Sequence, residues 1–425
     1  MPHAKQTVER ARDALNFFLA DVRDGLGPYL AIYLLTEQKW DQASIGVVMS
    51  VAALAGIVAQ TPAGALIDRS TAKRALMIAA AIVVTAACLA LPLIHRFELV
   101  AATQAVAAAA GAVFGPAVAA VTLGIVGPRA FARRIGRNEA FNHAGNAVAA
   151  AIAGAAAYFY GPIVVFWLLA AMAIASVFAT LSIPADAIDD HLARGLDETH
   201  AGGGERHAGD GDQPSGLRVL LTSKPLLIFA GATVLFHFSN AAMLPLVGQK
   251  LALVNRELGT TLMSICIIAA QLVMVPVAAL VGHKADTWGR KPIFAAALAV
   301  LTLRGALYPL SDNPYWLVSV QLLDGVGAGI FGALFPLVVA DLTRGTGHFN
   351  VSQGAIATAA GLGGALSAAA AGFIVVGAGY SAAFLFLAAV AAAGLIGFCA
   401  MMPETRRDNA DSPASATAII PGTAS

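Results

Sequence analysis

Apolar runs of membrane-crossing length recur along the whole chain, and they leave few folds open. A helix that crosses a bilayer needs about 20 mostly apolar residues. Runs of that kind are read at 14–36, 43–67, 74–95, 98–127, 138–160, 162–184, 224–248, 258–282, 291–311, 314–343, 349–376 and 380–402. They predict an all-α membrane protein with about twelve spans. Only 12% of the residues are charged, about half of what a soluble domain carries, so a large soluble core is excluded. Gly25, Gly27 and Pro28 inside the first run do not count against it, because neighbouring helices can satisfy the backbone groups they free.

The basic residues orient the predicted spans. With the N-terminus inside, the outer loops carry only Lys39, Arg96, Lys250 and Arg256, while Arg23 and Arg304 lie within spans. All the rest of the 26 Lys and Arg fall on the inner side. Such an excess marks the cytoplasmic face. Both termini are therefore expected in the cytoplasm, and the chain in the cell inner (plasma) membrane. Residues 1–14 are charged, and no small-residue cleavage site follows the first run; that run reads as a helix that stays, not as a signal peptide. The net charge of +1 offers nucleic acid no basic surface. Cys88, Cys266 and Cys399 sit in separate apolar runs without metal spacing, so neither a metal nor a cofactor is expected.

One charged turn occurs twice. Gly64-Ala-Leu-Ile-Asp68-Arg69-Ser-Thr-Ala-Lys73-Arg74 separates the second and third runs, and Gly282-His-Lys-Ala-Asp286-Thr-Trp-Gly289-Arg290-Lys291 the eighth and ninth. The carboxylate of each is suited to cap a helix end or to pair with the bases, and the leading Gly to let two helix ends approach closely. The copies stand about half the chain apart, which reads as an internal duplication. It extends further: Gln104 and Phe114-Gly115 map onto Gln321 and Phe331-Gly332 by the displacement that carries Pro28 onto Pro245. The chain divides accordingly into an N-terminal segment 1–13, a six-helix bundle 14–184, a linker 185–223, a second six-helix bundle 224–403 and a tail 404–425. The linker, Gly-rich with His191, His200 and His207, and the Ala/Ser/Thr/Pro-rich tail are expected to be flexible.

These turns resemble the loop signature of the major facilitator superfamily, G-x-L-x-D-x-x-G-R-K. Gly282, Asp286, Gly289, Arg290 and Lys291 match it, with Lys284 at the apolar third position. Gly64, Leu66, Asp68 and Lys73 match in the first copy, where Thr71 and Ala72 stand for Gly and Arg. The resemblance runs from about residue 14 to about 403. It implies two pseudo-symmetric bundles that rock about one central site, working as a monomer in the lipid bilayer. It also implies a conformational switch at Gly64, Asp68, Arg69, Lys73, Gly282, Asp286, Gly289, Arg290 and Lys291. Departures are visible too. Gln104 and Gln321 stand where drug/proton antiporters have their coupling arginine, and of the antiporter glycines in the fifth span only Gly145 and Gly154 are met.

Ionisable groups deep in a span are costly and face a cavity or a partner. In the first span, Asp21 and Asp24 share a helix face, and Arg23 points elsewhere, toward a partner on another helix. In the fifth, Asn138, Asn142 and Asn146 form one stripe beside Glu139 and His143, and histidine suits proton coupling. His237 and Asn240 ahead of Pro245 predict a bent, cavity-lining seventh span. Gln60, Gln271 and Gln353 each offer one amide. Arg304 is expected to pair or snorkel, and Asp324 opens the tenth span. The expected cavity set is Asp21, Arg23, Asp24, Asn142, His143, Asn146, His237, Asn240, Gln271 and Asp324.

The sequence holds no Walker loop, zincin pair or G-x-S-x-G elbow, so no enzyme is expected and the energy must come from an ion or solute gradient. The leading expectation is secondary transport of a small molecule or ion by alternating access, as proton-coupled export. One alternative is a divalent metal exporter using Asp21, Asp24, His143 and His237. Another is a non-transporting sensor on the same fold.

Overall fold

The computed structural model describes residues 2–24, 26–193, 223–343 and 349–406. Among them every regular element is helical, and nine helices are long and apolar enough to cross a membrane. The last of these, Ser352–Met401, is two spans, because Gly379 leaves the helical region at φ 85°, ψ 170°. Gly127 (φ 70°, ψ 172°) likewise divides Phe114–Tyr160 into the end of the fourth span and the whole of the fifth. The fifth span and the first, Pro2–Asp24 with Gly27–Thr36, lie outside the nine; their arginines, carboxylates and amides hold the hydropathy down. With them the helices make the twelve crossings of an all-α membrane fold.

The first and seventh spans break at equivalent places. Pro2–Asp24 gives way to Gly27–Thr36, and Lys224–Ala241 to Met243–Val254. Pro28 and Pro245 fall in the first turn of the second piece, where a missing N–H forfeits no intrahelical bond. At the later break the freed N–H of Ala242 donates to Ser367 Oγ at 3.2 Å. Each half closes on its own apolar core, one around Leu34, Ile45, Phe114 and Phe166, the other around Phe229, Phe294, Leu334 and Phe384.

The halves meet at the end away from the termini. A Cβ on Gly46 of the second span would collide with the carbonyl of Ala368, and one on Gly372 of the eleventh with that of Gln42. Small residues let backbones approach so closely in a membrane. Hydrogen bonds join the halves in the same layer. Gln42 Nε2 donates to Tyr380 OH at 3.0 Å, the Ala369 N–H to Ser50 Oγ at 3.0 Å, and Thr261 Oγ1 to the Gly154 carbonyl at 2.7 Å. Tyr29 OH and Ser264 Oγ share a hydrogen at 2.8 Å. Among the described residues, no hydrogen bond or ion pair joins the halves at the other end. The close approach expected at Gly64 and Gly282 is absent, since a Cβ on either would meet nothing within 4 Å. The reason is geometric: halves joined at one end stand apart at the other.

Of the linker, a short 3-10 turn Ala185–Ala187 and a helical turn Asp190–Ala193 are described; residues 194–222, with His200 and His207, lie outside the described residues.

Candidate functional site

Two cavities open beside the first span. The larger, about 530 Å³, is walled by Arg23, by Gly56 and Gln60 of the second span, and by Gly111 and Gly115 of the fourth. The smaller, about 230 Å³, lies between Asn16, Arg23, Gly115, Glu139 and Asn142. Arg23 belongs to both walls and is exposed, and its guanidinium has no hydrogen-bond or ion-pair partner among the described residues. The partner on another helix that its position suggested is not found among the described residues. Asn138 is buried and donates to Thr122 Oγ1 at 3.0 Å, so one end of the amide stripe is spent on packing. His143 is half-buried with Nδ1 enclosed and unpartnered. Asp21 and Asn146 are half-buried. The side chain of Asp24 lies outside the described residues.

Below the smaller cavity is a charge cluster that the sequence reading missed. Asp13 takes Arg137 Nη2 at 2.6 Å and Nε at 3.0 Å, and Arg134 Nη2 lies 2.8 Å away, close but out of line for a hydrogen bond. Arg12 and Arg134 are buried, with several guanidinium N–H groups unpartnered. Burial pushes the Asp13 carboxyl up, but the Arg137 hydrogen bond and the Arg134 charge outweigh it and hold it below the usual carboxylate range. The available signal was weak: an acid at the head of one run, and arginines spaced along one helix face before another.

The second half carries a network centred on Arg304, which is fully buried. Arg304 Nη1 pairs with Asp324 Oδ1 at 2.6 Å and donates to Asn240 Oδ1, Nη2 donates to Gln321 Oε1 at 2.9 Å, and Nε to Tyr308 OH at 3.0 Å. Gln321 Nε2 reaches Asp324 Oδ2 at 3.0 Å, closing a ring across the seventh, ninth and tenth spans. Asn240 and Asp324 are thus tied to Arg304 rather than standing free in a cavity. His237 is separate, its Nδ1 3.1 Å from the Thr233 carbonyl and its ring edge-on to Phe331. Gln271 is half-buried with Oε1 unpartnered.

Each duplicated turn is pinned to the segment that follows the last span of its own half. Lys73, buried, pairs with Asp190 at 2.6 Å, and Arg74 donates to the carbonyls of Thr180 and Leu181 at the end of the sixth span, where a cation is favoured. In the second half, Glu404 accepts the N–H groups of Arg290 at 2.8 Å and Lys291 at 3.1 Å, capping the ninth span. Arg290 also pairs with Asp286 at 2.8 Å and Asp341 at 3.0 Å. Burial works against the Glu404 charge, yet four backbone N–H donors hold its carboxyl below the usual range. The tail is therefore anchored at its start. Asp68 and Arg69 are exposed, and Asp68 has no partner among the described residues.

The sequence model of the Major Facilitator Superfamily matches residues 14–350 and, overlapping, 251–421. An uncharacterised MFS-type transporter, found in two strains of Mycobacterium tuberculosis, is 65% identical over 398 residues, covering 94% of this chain and 94% of its own. Two crystal structures of the nucleoside transporter NupG, one of a point variant, align with TM-scores of 0.77 and 0.71 at 16% identity. They cover 93% and 94% of this chain and 100% and 98% of their own. At that identity the likeness is one of fold.

Proposed function

This chain belongs to the major facilitator superfamily, and from that premise we propose that it exports a small organic solute from a bacterial cell in exchange for protons. Membership makes it a multi-pass secondary transporter and not an enzyme. The observation that carries proton coupling is the ion pair of Arg304 and Asp324 at 2.6 Å inside the second bundle. Neutralising one member of such a pair leaves the other charge buried and uncompensated. A proton on Asp324 would release Arg304 from the tenth span and force Asn240 and Gln321 to change partners. The network is thus a two-state element that a proton biases. The Asp324 side chain keeps 17% of its surface exposed against 1% for Arg304, which gives the proton its way in.

The distribution of Lys and Arg supports cytoplasmic termini and an inner-membrane location. On that orientation, halves joined at the far end make this the inward-open state. Export is supported by the resemblance to drug-efflux branches. A divalent metal cargo has less behind it: among the described residues no three His, Cys, Asp or Glu side chains converge.

Proteoliposomes with an imposed pH gradient test the coupling. The wild type is expected to move at least one solute of a broad panel against its gradient. Asp324→Asn should lose that uphill movement while still exchanging labelled for unlabelled solute. Uphill flux that survives in Asp324→Asn removes Asp324 from the coupling, and a wild type that ignores the pH gradient removes proton coupling altogether.

A further inference from the structure

We propose that Arg23 is the solute's anchor and that the solute is a small organic anion bearing a carboxylate or a phosphate. This deepens the transporter reading above and rests on it. A charged side chain at membrane depth is retained when it has a partner or a wet cavity to face. Arg23 has the cavity alone: it lines both of them, it is exposed, and no described side chain neutralises it.

Among the described residues, the other negative groups are engaged elsewhere or confined to the smaller cavity. Asp324 in the opposite half is held by Arg304, and Asp21 is half-buried with interactions of its own. Glu139 lines the smaller cavity only. Among the described residues no acid lines the larger cavity, so it presents the positive charge of Arg23, and a concave low-dielectric wall concentrates its field. Guanidinium offers a planar fork of N–H donors that fits a carboxylate or phosphate edge with two parallel hydrogen bonds.

The surroundings suit a small guest. Gly56, Gly111 and Gly115 leave space and bring no competing side chain, and Gln60 adds one amide for orientation. At about 530 Å³ the cavity falls within the usual range for small-molecule sites, about 300–1,000 Å³. Ile57, on the same wall, reaches to 3.2 Å from where a Cβ on Gly361 of the eleventh span would stand. The cavity thus lies at the seam between the halves, where a bound solute touches both and biases their rocking.

The test is binding to the purified full-length protein, read by calorimetry and by thermal stabilisation without any gradient. The probes are succinate, benzoate and glycerol phosphate, each beside its neutral amide or alcohol counterpart, with a quaternary ammonium ion as the cationic control. At least one anion is expected to bind, its neutral counterpart far less. Arg23→Gln should weaken that anion by about tenfold or more, the usual scale for a charge-assisted hydrogen-bonded pair. Arg23→Lys should keep more affinity for phosphate than for carboxylate, because it loses the bidentate fork. If Arg23→Gln fails to fold, Arg23→Lys and the weakening of wild-type binding by added chloride carry the test. The proposal is overturned if no anion of the panel binds, if the cation or a neutral counterpart binds as tightly, or if Arg23→Gln stays within about twofold of wild type. An anion that binds through Arg23 yet ignores a pH gradient would remove proton coupling and leave this anchor standing. A neutral solute driven by the gradient would do the reverse.

Discussion

At the scale of single residues, Asp13 holds together the terminus-bearing end of the first bundle. Two guanidinium groups converge on its carboxylate, from Arg134 at 2.8 Å and Arg137 at 2.6 Å, and Arg12 is buried beside them. Asp13→Asn leaves the buried Arg134 with no counter-charge, and Arg12 with only the more distant Glu9 at 3.9 Å. Breaking a buried pair on one side costs about 3–5 kcal/mol, so thermal unfolding in detergent should show a large loss. Arg137→Gln should cost less, since that side chain is about half exposed (53%). The sign of the pH dependence follows from the lowered Asp13 pKa. Its stabilisation is complete above the ordinary aspartate value of about 3.9 and is lost as pH falls through the lower folded value. The gap in stability between wild type and Asp13→Asn should therefore narrow only below about pH 4. A gap that closes by mild acidification would show that Asp13 is not held as described.

At the scale of elements, the turn between the eighth and ninth spans depends on one backbone conformation. Gly289 sits at φ 91°, ψ 157°, a region essentially reserved for glycine, where other residues cost about 1–3 kcal/mol. An added Cβ would also stand 2.6 Å from Glu404 Oε2. Gly289→Ala should therefore destabilise the fold by about that amount and also loosen the cap that Glu404 places on the ninth span. Hydrogen exchange at the Arg290 and Lys291 amides reads the second effect; unchanged protection there would contradict it. How much of this was legible in sequence varies with range. Hydropathy alone placed the spans, and Pro245 marked the broken seventh one, whereas the break of the first was not foreseen. The spans that fell short on apolar content, the first and fifth, supply most of the polar residues that line the cavities, joined by Gln60 of the second. The Asp13 cluster and the Glu404 cap were not legible. Their partners lie 124 and 114 residues apart, and neither spacing nor composition pairs groups so distant. The duplicated glycines were recognisable, but whether Gly64 and Gly282 touch anything depends on which state the halves adopt, a property no single turn encodes.

At the scale of the whole molecule, the two ends make opposite predictions. Gly46 packs against the eleventh span in this state, and a side chain there forces the second and eleventh spans apart. Overpacking costs about 1–3 kcal/mol. Charged to one state only, that moves the balance between states by about 5–150-fold. Gly46→Val should therefore favour the alternative in which the terminus-bearing ends close. Asp68 behaves differently. It is exposed and unpartnered among the described residues, so Asp68→Ala costs nothing here. If Asp68 finds its partner only when those ends come together, the substitution destabilises the closed arrangement and enriches this one, with solute affinity of the open site left intact. Spin labels at Thr71 and Lys284, both exposed and in opposite halves, report the separation directly. Gly46→Val should raise the short-distance population and Asp68→Ala should lower it, relative to wild type. Because a ligand or mutation shifts an equilibrium only by its difference between states, equal distance distributions in all three proteins would mean that neither residue distinguishes the states. The pivot would then have to lie elsewhere than between the second and eleventh spans.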